Sequence, residues 1–77
     1  MITMNKIQVR LDTGEDVREF VNIACSISEP VYLEDGTTFR ASAKSLMGVM
    51  YGKFEFETLY VLSDNKFLAS KFMKFLV

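Results

Sequence analysis

Two hydrophobic periods meet near the start of this chain, and together they limit what it can fold into. Ile7, Val9 and Leu11 alternate with Lys6, Gln8, Arg10 and Asp12. A period of two is a strand with one buried face. After the turn at Thr13-Gly14, Val17, Phe20, Val21, Ala24 and Cys25 recur at i, i+3, i+4, i+7 and i+8, one apolar stripe on a helix. Ser28-Glu29-Pro30 ends that helix. Val31 and Leu33 then alternate with Tyr32 and Glu34, Asp35-Gly36 signals a hairpin, and Thr38-Phe39-Arg40-Ala41 returns as the partner strand.

The second half repeats the alternation. Ser42 to Tyr51 reads as a short amphipathic helix of two turns, with Gly48 permitting a close backbone approach. Phe54 to Leu62 is rich in β-branched and aromatic residues and reads as a strand. Its alternation changes phase between Phe56 and Leu59, which predicts a bulge or a loop-to-strand transition near Glu57. Ser63-Asp64-Asn65 opens a last helix that carries Leu68, Phe72, Phe75 and Leu76 on one face to the chain end. The element order is β-α-β-β-α-β-α. It predicts an α+β fold in which three helices pack on one face of a four-stranded antiparallel sheet. Phe20, Val21 and Ala24 should then meet Leu68 and Phe72.

Length and charge narrow the function classes. Seventy-seven residues make a single domain spanning 1–77, and a chain this short buries roughly 60–65% of its unfolded surface. Nine basic residues against ten acidic ones leave a net charge of −1. A nucleic-acid partner would need a basic face. Nothing approaches the roughly 20 apolar residues of a membrane span, and Met1 to Lys6 holds no apolar run of leader-peptide length. The expected location is cytoplasmic. Cys25 is the single cysteine, so no internal disulfide can form; its apolar neighbours Ile23, Ala24 and Ile27 make it a buried hydrophobe.

Two polar residues stand where helices begin. Thr13 followed three residues later by Asp16 fits a capping box, and acids in a first turn suit the helix dipole. Ser45 precedes the apolar set Leu46, Met47, Val49 and Met50, and is a natural N-cap. Leu46, Met47 and Met50 are either a docking patch or, at least in part, core. Two thioethers on a short helix suit an adaptable contact surface.

Lys44-Ser45-Leu46-Met47-Gly48-Val49-Met50 resembles the regulatory-serine signature of HPr, the histidine-containing phosphocarrier family of the sugar phosphotransferase system. Val9 to Gly14 resembles the end of that family's first strand, and Leu33 to Thr37 its hairpin, so the similarity runs through nearly the whole chain. It implies an open-faced β-α-β-β-α-β-α sandwich. The family's active site follows the first strand as Gly, an apolar residue, His, a small residue, Arg, Pro, Ala. Here the stretch is Gly14-Glu15-Asp16-Val17-Arg18-Glu19-Phe20, with Asp16 at the histidine position and Arg18 at the arginine position. The chain holds no histidine anywhere.

The resemblance therefore implies a variant that cannot carry phosphohistidine, like the regulatory paralogues that keep only the serine. It implies phosphorylation of Ser45 by an HPr kinase/phosphorylase using ATP. The phosphorylated form would bind a LacI-type transcription regulator in carbon catabolite control, docking through Leu46, Met47 and Met50 with Arg18 and Lys44 beside them. With no histidine, no metal-ligand cluster and no Gly-rich phosphate loop in the sequence, no catalysis, cofactor or metal is expected. Two other readings stand beside this one: an interaction module that kept only the fold, and a phosphotransferase component that uses Asp16. Finally, the last helix carries more apolar residues than one sheet face buries, so a weak homodimer through it or through Met47–Met50 is expected.

Overall fold

A computed structural model describes residues 4–77; the first half of the Met1 to Lys6 stretch read above for a leader lies outside them. The strands are β1 (Asn5–Val9), β2 (Val31–Glu34), β3 (Arg40–Ser42) and β4 (Leu59–Ser63). The helices are α1 (Gly14–Cys25), α2 (Leu46–Glu55) and α3 (Leu68–Lys71), the last followed by a 3-10 turn, Met73–Phe75. The strands form one sheet in the order β1-β4-β2-β3, every pair antiparallel. This is the α+β sandwich that the element order predicts.

Alternation decides which side of the sheet is core. Val9, Val31, Leu33, Leu59 and Val61 are buried beneath the helices. The opposite side is sealed by polar cross-strand pairs. Glu34 accepts from Arg40 at 3.0 Å and faces Lys6 at 3.5 Å, while Lys6 lies over the Tyr60 ring and Arg40 over Tyr32. These contacts satisfy the charges of that face within the chain.

The core joins the two halves as expected. Phe20, Val21, Ala24, Leu68 and Phe72 are all buried in one cluster. The Phe20 ring lies 4.9 Å from Phe72 and 6.1 Å from Phe75, in tilted and edge-on arrangements. Each such pair adds about 0.5–1.5 kcal/mol beyond area burial.

Several boundaries differ from the sequence reading. The helix expected over Ser42–Tyr51 starts at Leu46 and runs to Glu55, because Ser42 pairs with Tyr32 and Ser45 caps the helix. Phe54 is therefore helical, and the strand begins only at Leu59. The phase change near Glu57 is a loop-to-strand transition. The returning strand starts at Arg40 rather than Thr38, since Asp35 holds a five-residue loop: its carboxylate accepts from the amides of Thr37 and Phe39, both at 3.0 Å. Gly36, at φ +92°, supplies the left-handed residue that this turn requires.

The last helix is the largest correction. Neither Ser63-Asp64-Asn65 nor the chain end is helical. Ser63 closes β4, and its hydroxyl donates to the Pro30 carbonyl and accepts from the Asn65 amide. One α turn and one 3-10 turn follow, and the chain then returns to the open edge of β1. The Arg10 amide donates to the Phe75 carbonyl at 2.9 Å, and the Val77 amide to the Gln8 carbonyl at 3.2 Å. An edge strand presents unpaired backbone groups, and these bonds satisfy some of them where a continuing helix would satisfy none. The same departure leaves Leu76 40% exposed instead of in core with Leu68, Phe72 and Phe75. Cys25 is also exposed, not buried, because it lies at the edge of the α1 stripe; its thiol faces the Lys44 carbonyl at 3.7 Å.

Candidate functional site

The N-terminus of α1 is built around a reciprocal cap. Thr13 is the N-cap, and its hydroxyl accepts from the Asp16 amide at 3.1 Å. The Asp16 carboxylate turns back and accepts from the amides of Asp12 at 2.9 Å and Thr13 at 3.2 Å. Those donors, the Asp12 amide first, hold its carboxyl below the usual aspartate range against the opposing effect of burial, with the Lys74 charge adding to the lowering. Asp16 is thus committed to its own backbone. Glu19 takes the Lys74 ammonium at 2.7 Å, so this lysine of the last segment is tied to α1 rather than merely solvated. Arg18 is exposed and lies 3.8 Å from Glu15.

The N-terminus of α2 is simpler and more open. Ser45 is exposed and sits in extended backbone at φ −96°, ψ 115°. Its hydroxyl accepts one bond, from the Gly48 amide at 3.2 Å. No acidic side chain occupies the first turn of this helix. The remaining N–H groups there and the helix dipole favour an anion.

Leu46, Met47 and Met50 are 45%, 84% and 37% exposed. None of the three is core, which removes the bland alternative for this set; Val49 and Gly52 take the inward face instead. Leu46 and Arg18 line one open groove of about 390 Å³ between the two helices, with Glu15, Glu19, Val21 and Asn22. The fold therefore brings Arg18 to the Leu46 end of the patch. Asp16 is absent from that groove.

Sequence reasoning missed the rest of the surface. Tyr51 and Phe54 are 54% and 71% exposed and extend the same side of α2. The signal was present as spacing, since 47, 50, 51 and 54 follow i, i+3, i+4 and i+7. Assigning Phe54 to a strand concealed it. Among the described residues, no group of three or more His, Cys, Asp or Glu side chains could hold a metal ion, and no helix is long and apolar enough to cross a membrane.

No protein-family model and no curated protein matches this chain. Solved structures do. The chain is similar to HPr-C-His from Thermoanaerobacter tengcongensis at 19% identity and TM-score 0.67, over 94% of this chain and 88% of that one. It is similar to the phosphocarrier protein HPr from Bacillus anthracis str. Ames at 20% identity and the same TM-score, over 95% of each chain. At these identities the likeness is one of architecture, and the architecture is that of HPr.

Proposed function

We propose that this chain is a non-catalytic, HPr-like regulatory protein. It carries no phosphohistidine and works by presenting the outer face of α2 to a protein partner, under the control of phosphorylation at Ser45. One observation carries the reading. An exposed serine hydroxyl caps a helix directly beside three exposed apolar side chains, Leu46, Met47 and Met50, on an HPr fold without histidine.

The chemistry is straightforward. A kinase would transfer the γ-phosphoryl group of ATP to Ser45 Oγ, with loss of the hydroxyl proton and release of ADP. The phosphoryl group adds nearly two negative charges. It would meet amide donors and the positive end of the α2 dipole, with no first-turn carboxylate to repel it. The fold is thus kept while the surface is changed. By the same resemblance, the kinase is an HPr kinase/phosphorylase and the partner a LacI-type transcription regulator. Asp16 is a helix cap in this reading, and Arg18 a rim residue of the docking groove.

The test is incubation with an HPr kinase and ATP, read by intact mass. The expected result is gain of one phosphoryl group in the wild type and none in Ser45→Ala. Equal modification of both overturns the site. A hydroxylamine-labile adduct would instead identify Asp16 as an acyl-phosphate acceptor. An unmodified wild type that still binds a partner through Met47 would make the chain a plain interaction module.

A further inference from the structure

Helix α2 is apolar on two opposite sides. At about 100° per residue, Leu46, Met47, Met50, Tyr51 and Phe54 span an arc of about 140°, centred nearly opposite the buried Val49 and Gly52. With roughly 200 Å² for a fully exposed residue of this size, their fractional exposures amount to about 600 Å² per copy. That is a contiguous patch of the size that marks an interface. Phe67, Met73, Leu76 and Val77 are also exposed, spread over the residue before α3, the 3-10 turn and the extended chain end.

The two ends of the stripe carry opposite charge. Lys44 lies just before the first turn; Glu55 ends the helix and Glu57 follows it. None of the three forms an ion pair among the described residues. The other charges nearby are Lys53, whose ammonium lies 4.8 Å from the Phe54 ring centroid, the Arg18–Glu15 pair, the Arg10–Asp12 pair, which lines the same cleft as Glu55 and Glu57, and Glu29, which feels the Lys44 charge. Two such helices laid parallel set like charge against like. Laid antiparallel about a two-fold axis, each Lys44 and each positive helix end faces the acidic end of the other copy.

We infer that a second copy of this chain covers this face, in a two-fold dimer with the α2 helices antiparallel. Two patches of about 600 Å² bury about 1,200 Å², the lower edge of specific interfaces. An interface at this lower edge is of the weak, transient class. A net charge of −1 per chain opposes it little. The arrangement also supplies a switch, which rests on the reading of Ser45 given above. The α2 end that carries Ser45 in one copy meets the end that carries Glu55 and Glu57 in the other, so a doubly charged group on Ser45 adds repulsion between the two ends. Phosphorylation opens the dimer and bares the docking face.

Sedimentation of the purified chain from low to high micromolar concentration tests this. The expected result is a reversible monomer–dimer equilibrium. Met47→Glu and Phe54→Glu abolish it, while Phe67→Glu leaves it unchanged. Lys44→Glu weakens it by about tenfold, and adding Glu55→Lys and Glu57→Lys to that variant restores it. A wild type that stays monomeric, a Met47→Glu variant that dimerises normally, or no restoration by the charge swap overturns the dimer. A dimer that tolerates Ser45→Asp unchanged overturns the switch and leaves the dimer standing. Far-ultraviolet circular dichroism of each variant separates lost association from lost folding. Modification by a kinase plays no part in these measurements, so the dimer and the proposed function fail independently.

Discussion

Replacing Ser45 by alanine removes one acceptor from one helix end, and the size of the effect follows from the local geometry. The hydroxyl takes a single bond from the Gly48 amide, at 3.2 Å, the long end of the usual range. Gly48 stands at the third helical position, so no side chain returns a bond and the motif is half of a capping box. The expected loss is about 1 kcal/mol, inside the 0.5–2 kcal/mol span of such caps. A domain of this length holds about 4–12 kcal/mol, and each kcal/mol moves its melting temperature by roughly 4–8 °C. Ser45→Ala should therefore melt about 4–8 °C below wild type, still two-state, by circular dichroism. Ser45→Gly should lose only a few tenths of a kcal/mol. Ser45→Asp should match the wild type, since a carboxylate caps as well and gains about 0.3–1 kcal/mol from the dipole. An aspartate variant that melts at or below the alanine variant would refute the reasoning, because this helix end would then reject an anion. Phosphoserine at the same atom would be equally unwelcome.

Three further outcomes test the framework around the site. Phe20→Ala should cost about 3–5 kcal/mol in urea denaturation, since its ring packs on both Phe72 and Phe75; a loss below 1 kcal/mol would mean that the final segment is not docked. Asp16→Asn should flatten the acid limb of stability. The Asp16 carboxyl is lowered in the folded state, so what it contributes is complete above the ordinary aspartate range and fades as pH falls through the lowered value; a gap between wild type and variant that widens on acidification would contradict the cap. Gly52→Ala should lower the melting temperature although alanine favours helix by about 1 kcal/mol, because the new Cβ would lie 2.9 Å from a Phe39 ring that is stacked on Phe56; a more stable variant would show that Phe39 can move aside.

The parts of the fold that were legible share one property: a large residue on the buried side and a polar one opposite. Ile7 and Val9, Val17 to Ala24, and Val31 and Leu33 all obey it, and each was placed correctly. The Thr13 and Asp16 cap was legible for a related reason, since its partners are close in sequence and need no tertiary information. The last segment was not. Leu68, Phe72 and Phe75 are spaced for a helix and are buried as a helix would bury them. What diverts the chain is the open edge of β1, a partner more than sixty residues away that no local pattern reports. Cys25 failed on a smaller scale. Its apolar neighbours belong to the α1 stripe, while its own position falls at the stripe's border, where spacing alone does not decide between core and solvent.

Helix α2 misled for a reason that bears on what the protein does. A helix packed on a sheet ordinarily puts bulk inward. Here the inward side carries Val49 and Gly52, and a Cβ at Gly48 would lie 3.0 Å from that of Ala41. Small residues let the backbone settle low on β2 and β3, with Gly52 against Phe39 and Leu33. The large residues are left facing out. A pattern reading ends such a helix too early, at Tyr51, because the aromatic and β-branched run from Phe54 onward reads as a strand. The inversion is costly in isolation, since the exposed parts of these side chains gain nothing from folding and favour aggregation. It becomes favourable once another surface covers them. Met47 and Phe54 are thus the positions where removal of a large side chain should spare the melting temperature and abolish association, whereas Val49→Ala should do the reverse.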